Sequence, residues 1–167
     1  MLTSLYISDT LFCNNRDYTE DDAGDITYAT DPDNPTLVCN TKTDRFTKSD
    51  STNGTATLTY SIGLITYDEA IMAGVPSSDW NGRQYQKTYT SGPLYWTMSP
   101  GYYRQDPSDS SYNHSCIWIL GQNDTYNSDC QIPSEVLGVR PVINLIPNVT
   151  YTGTGTASDP YVITGIK

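Results

Sequence analysis

One histidine, two phenylalanines and nine basic residues stand among the 167 positions of this chain, and each scarcity removes a class of chemistry. A single histidine, His114, leaves serine or cysteine nucleophiles with one candidate base. The four cysteines show no C-x-x-C spacing, which argues against a zinc site. Nine Lys and Arg against nineteen Asp and Glu give a formal charge of −10, opposed to any partner held by phosphate contacts, so nucleic acid is not expected. No apolar run approaches the ~20 residues of a membrane helix, and no direct membrane insertion is expected. Met1 to Tyr6 has neither a basic stretch nor a long apolar core and does not read as a signal peptide. An export signal is therefore expected outside this sequence, or the domain travels as part of a larger surface assembly.

What is present is tyrosine. Fourteen Tyr dominate a hydrophobic content of 37%, so the aromatic surface is amphipathic, able to pack on one side and hydrogen-bond on the other. Twelve Gly and ten Pro, with abundant Ser, Thr, Asn and Asp, predict short strands and many turns. The length fits one domain over 1–167 with a core of its own. Loop closure favours disulfides Cys13–Cys39 and Cys116–Cys130 over the other two connectivities; reduced thiols of a cytosolic protein are the alternative.

Along the chain, 5–12 reads as a first strand leading to Cys13, and 14–34 as a solvated acidic loop. Its Glu20, Asp21, Asp22 and Asp25 lack the alternate spacing, central Gly and terminal Glu of a calcium loop. Thr36 to Cys39 reads as a short strand stapled to Cys13, and Thr55 to Tyr60 alternates like a strand. Thr66 with Glu69 three residues on predicts a capping box opening a helix of about two turns, closed by Gly74. Leu94 to Pro100 is apolar enough for a strand with Trp96 in the core, while 76–92 reads as loop. Cys116 to Leu120 is a further strand, and Val149 to Tyr151 with Tyr161 to Ile163 makes a closing hairpin. Leu137 to Leu145 is the densest aliphatic run and reads as the central strand, bulged at Pro141, which has no N–H to give. Arg140 within it needs a carboxylate, and Asp68 or Glu69 at the helix start is the expected partner.

Several of these pieces together resemble a known group. Gly63 to Ala70 with Ala73-Gly74, Tyr95 to Pro100, Gly138 to Val142, and Gly155-Thr156 with Asp159 to Ile163 occur in that order. Leu11 to Asn14, Leu37 to Cys39 and Asp44 to Thr47 precede them. The set is similar to C-type lectin-like domains in secreted or surface proteins of Gram-positive gut bacteria and their phages. That is the branch related to formylglycine-generating enzymes and to variable proteins of diversity-generating retroelements. The resemblance implies an α+β fold: a short central antiparallel sheet, one or two short flanking helices, and long loops that form a ligand surface. The triplets of calcium-dependent lectins are represented only by Gln122-Asn123-Asp124, and the reactive cysteine context of the enzyme branch is missing.

Residues 101–130 contain four Tyr, three Asn, five Ser and four Asp, the balance of rigid aromatic area and adaptable hydrogen bonding found in antibody loops. Tyr102, Tyr103, Tyr112, Asn113, Asn123, Tyr126 and Asn127 are the expected ligand-binding residues, with Cys13, Cys39, Cys116, Cys130, Arg140 and Glu69 in structural roles. Cys116 with His114 would make a catalytic pair only as a free thiol, and no enzyme activity, metal or cofactor is expected. The expectation is an extracellular, cell-surface or virion-surface domain that binds a glycan or protein. The alternative is a structural module of a bacterial surface protein, pilus or phage fibre.

Overall fold

The computed structural model describes residues 5–28, 34–73, 93–104, 114–121, 128–156 and 158–167. Antiparallel pairing dominates. The short strands β1 (Phe12–Cys13) and β4 (Arg45–Phe46) pair with each other. A five-stranded sheet runs in the order β2 (Tyr18–Glu20), β3 (Ile26–Tyr28), β5 (Tyr95–Arg104), β6 (His114–Leu120), β7 (Ser128–Gln131). The hairpin of β8 (Val149–Thr152) and β9 (Val162–Ile166) stands apart as a third sheet. The single α-helix among the described residues is α1 (Tyr67–Met72), far too short to cross a membrane. The architecture is thus mixed, mostly strand with very little helix.

The core gathers where α1 meets β5 and β6. Along β5, Tyr95, Thr97, Ser99 and Gly101 are buried and alternate with half-buried Trp96, Met98 and Pro100, the period-2 pattern of a strand with one covered face. Tyr95 and Leu120 pack with Ile65, Tyr67 and Ala70, and Trp118 and Val142 close the cluster. Tyr95, not Trp96, is therefore the core aromatic of this strand. Tyr67 is fully buried and stacks on Trp118 with ring centroids 4.3 Å apart.

A helix of six residues is below the length that is stable alone, so its ends and its docked face must hold it. The capping box forms as expected. Glu69 N–H donates to Thr66 Oγ1 at 3.0 Å, and Thr66 N–H donates to a Glu69 carboxylate oxygen at 2.8 Å. A further orphan donor, Tyr67 N–H, is taken by Ser99 Oγ on β5 at 2.9 Å. The expected terminator, Gly74, and the expected loop 76–92 lie outside the described residues.

Leu137 to Leu145 is not the central strand. Instead it crosses three neighbours with one bridge each: Gly138 parallel to Tyr95, Val142 antiparallel to Gly63, Leu145 antiparallel to Ile7. Pro141 supplies no donor, and Val139 (67%) and Ile143 (46%) face outward, so the aliphatic run buries only part of itself. Its role is a stitch. Arg140 lies over the ring of Tyr95, its guanidinium carbon 4.1 Å from the ring centroid. Asp68 accepts from Thr36 N–H at 2.9 Å, while Glu69 serves the N-cap.

Other expectations shift in the same way. The acidic stretch 14–34 contains the β2–β3 hairpin, and its Asp21 carboxylate accepts from the Ala23 and Asp25 amides to shape the turn. Residues 36–39 and 55–60 are not strands, and the strand expected over 5–12 reduces to the Ile7 bridge and β1. Both expected disulfides are present, with Cα separations of 5.9 Å for Cys13–Cys39 and 5.5 Å for Cys116–Cys130.

Carboxylates organise the irregular N-terminal third. Buried Asp44 receives Arg16 Nε at 2.7 Å and Arg16 N–H at 3.0 Å, while its own carbonyl accepts Asn14 N–H. Asp9 accepts from the amides of Lys48 and Ser49 and from Ser61 Oγ. The Ser49 hydroxyl and these amides stabilise its charged form and lower its pKa to about 2.

Two outcomes follow for stability. Arg16→Ala leaves Asp44 buried without its guanidinium and should lower unfolding free energy by about 3 kcal/mol in urea titrations. For Asp9, a folded pKa lowered to about 2 means its stabilisation is present above the ordinary carboxylate value and is lost as pH falls toward 2. Thermal melts of Asp9→Ala should therefore lie below wild type at neutral pH and converge with it near pH 2.

Candidate functional site

Of the seven residues expected to bind ligand, Tyr102 and Tyr103 are described; Tyr112, Asn113, Asn123, Tyr126 and Asn127 lie outside the described residues. The topology still separates their points of attachment. Asn113 precedes the first residue of β6, whereas the 122–127 stretch leaves after its last, and six steps along a strand span about 20 Å. The expected single surface over 101–130 therefore has its chain entries at two opposite ends of the sheet. Tyr102 and Tyr103 belong to the end where 105–113 begins.

That end is built on a bulge. Pro100 pairs with Ile117 and Tyr102 with Cys116, leaving Gly101 as the extra residue of β5. Gly101 is buried, and a Cβ added there would meet the sulphurs of both Cys116 and Cys130. The disulfide thus occupies the volume a side chain would need. It also ties β6 to β7 and fixes the strand beside Tyr102.

Regular pairing resumes after the bulge, with Tyr102, Tyr103 and Arg104 opposite Cys116, Ser115 and His114. On the other side, Thr27 faces Tyr102 and Ile26 faces Tyr103. Strand alternation therefore sends Tyr102 and Tyr103 to opposite faces of the sheet. They do not form one patch.

On the Tyr102 face the side chains converge. The His114 ring meets Tyr102 edge to face at 5.7 Å, and the Arg104 guanidinium lies 5.2 Å from the centre of the same ring. Arg104 also donates to the Asp25 carboxylate at 2.8 Å, which raises the guanidinium pKa further above its ordinary value. Thr27 and Thr19, directly paired on β3 and β2, extend this face outward. The result is an aromatic ring flanked by a cation, an imidazole and hydroxyls, all at or near the surface. Arg104, Asp25 and Thr27 were not among the residues expected from sequence. The β-forming run Ile26-Thr27-Tyr28 could have signalled a strand, but nothing local named β5 as its partner.

Cys116 is bonded to Cys130 and is therefore not the free thiol that a Cys116–His114 pair would require. Among the described residues, no three of His, Cys, Asp and Glu converge as metal ligands. A cleft of about 250 Å³ opens elsewhere, between Leu11, Leu37, Val38 and the start of α1. Its principal polar groups already serve the fold: Asp68 holds Thr36, Glu69 caps the helix, and Ser99 accepts from Tyr67.

Gly101→Ala should destabilise the domain by about 1–3 kcal/mol through overpacking, with the loss shrinking in a Cys116→Ala/Cys130→Ala background where the sulphurs are gone. Equal losses in both backgrounds, measured by urea unfolding, would refute the steric account. Compared with protein-family models, with curated proteins and with solved structures, the chain matches none of them.

Proposed function

We propose that this chain is an extracellular recognition domain of C-type lectin-like type that binds a glycan or a protein partner at the Tyr102 end of its sheet. The observation that carries the reading is the convergence of Tyr102, His114 and Arg104 on strands held by the Cys116–Cys130 bridge. Tyrosine gives large contact area with little side-chain entropy to lose, and guanidinium and imidazole groups supply directional donors. Placing them on paired strands beside a disulfide pre-organises them, which lowers the entropy lost on binding. Tyr112 and Asn113 precede His114 in sequence, and Asn123, Tyr126 and Asn127 follow β6. In this reading the Tyr- and Asn-rich stretches are the positions that a diversity-generating retroelement would vary. Two disulfides in a chain of this size support an oxidising, extracellular setting.

A second reading rests on the β8–β9 hairpin. Tyr151, Tyr161 and Val162 are exposed there, an apolar surface suited to assembly in a pilus, phage fibre or surface protein, with no ligand of its own. A glycan array combined with a panel of host surface proteins separates the two. Binding that falls tenfold or more in Tyr102→Ala and Arg104→Ala but holds in Tyr151→Ala supports recognition at the sheet end. No ligand on either panel, together with self-assembly lost in Tyr151→Ala, supports the structural module.

A further inference from the structure

The opposite face of the same sheet carries a different chemistry. Tyr18 and Tyr28 stand directly across from each other on β2 and β3, ring centroids 6.3 Å apart and planes inclined at 66°. Glu20 pairs with Ile26 on the next rung, and Ile26 in turn faces Tyr103 on β5. Strand alternation therefore puts Tyr18, Tyr28, Ile26, Tyr103 and Glu20 on one side. Tyr18 is 56% exposed and Glu20 is exposed, while the other three are half-buried. Arg104 does not neutralise this patch, because it is turned to the other face and paired with Asp25. The patch consists of two tyrosine rings in an edge arrangement, Ile26 beside them, the Tyr103 ring beyond it and the Glu20 carboxylate at the rim.

Aromatic faces attract cations through the ring quadrupole, and the net charge of −10 favours the same sign of ligand. A lysine ammonium is a compact, strongly hydrated charge, and so shallow a patch offers too few acceptors to replace its water. A quaternary ammonium has no N–H groups to leave unsatisfied, and its methyl groups pack on rings and on Ile26. An anion attached next to that head would meet Glu20 and the neighbouring Asp21 and Asp22.

We propose that this patch binds a choline-type group, a trimethylammonium head on a short uncharged arm, seated on the Tyr18–Tyr28 pair with Glu20 balancing its charge. The site shares no residue with the Tyr102 surface and does not depend on that reading. Titration of the full chain with choline chloride, followed by amide and tyrosine ring NMR shifts, tests it. Saturable shifts confined to residues 18–28 and 103 are expected. The uncharged carbon isostere, with a tert-butyl group in place of the trimethylammonium, should bind tenfold or more weakly. Phosphocholine should bind less well than choline. Tyr18→Leu and Glu20→Gln, both at exposed positions of an edge strand, should each weaken choline several-fold, whereas Tyr102→Ala should not. Absence of saturation, equal response to the isostere or to sodium chloride, or tighter binding of phosphocholine would each overturn the assignment.

Discussion

The stack of Tyr67 on Trp118 is the contact on which the rest of the fold depends. Tyr67 opens the only α-helix among the described residues, and Trp118 lies in the middle of β6. A two-turn helix has no stability of its own, so it exists because one ring is buried against another and because Ser99 accepts its first amide, that of Tyr67. Through that contact α1 fixes β5 and β6 together from one side. Leu137 to Leu145 then binds the helix entry, the central strand and the N-terminal segment by single bridges. A stitch of this kind does not need to be buried, only to be extended and hydrogen-bonded.

Acidity has a structural use in this molecule beyond solubility. Asp9, Asp21, Asp44, Asp50 and Asp68 each accept backbone amides from irregular segments. Where regular pairing is short, loop amides still need partners: Asp21 and Asp50 reach them two to four residues away, and Asp9, Asp44 and Asp68 reach segments 28 to 40 residues distant in sequence. In Asp50 the Asn53 amide and side chain lower the carboxyl pKa, the sign expected of an anion satisfied by donors. Much of the negative charge therefore serves as local scaffolding in a domain with few helices and brief strands.

The tyrosines divide according to the pleat. One face of the outer sheet joins Tyr102 to His114 and Arg104, and the other joins Tyr103 to the β2–β3 pair of rings. The two faces differ in charge as well as in shape, since Arg104 serves one and Glu20 the other. A strand two residues wide at this point thus presents two chemistries back to back.

Local signals were legible where they act within a few residues. The Thr66–Glu69 capping box, the closing hairpin, both disulfides and the strands near Tyr95 and Cys116 all depend on neighbours in sequence or on loop closure. Legibility failed where long-range pairing decided the outcome. Density of aliphatic residues made Leu137 to Leu145 look central, yet the buried rungs went to β5, whose Thr, Ser and Gly are small enough to let α1 and the disulfide approach. The 14–34 stretch looked like solvated loop because its acids outnumber its β-formers, but pairing with β5 makes a strand of Ile26-Thr27-Tyr28. The contact of Arg140 with the Tyr95 ring joins residues 45 positions apart, which no local pattern announces. Composition by itself determined that this chain is tyrosine-rich and acidic, with the Gly, Pro and small polar residues of short strands and many turns; that its four cysteines are bridged came from the structure. Which tyrosines share a face, and which end of the sheet they occupy, came only from the register of β5 between β3 and β6, because a one-residue shift in pairing sends every side chain to the other side.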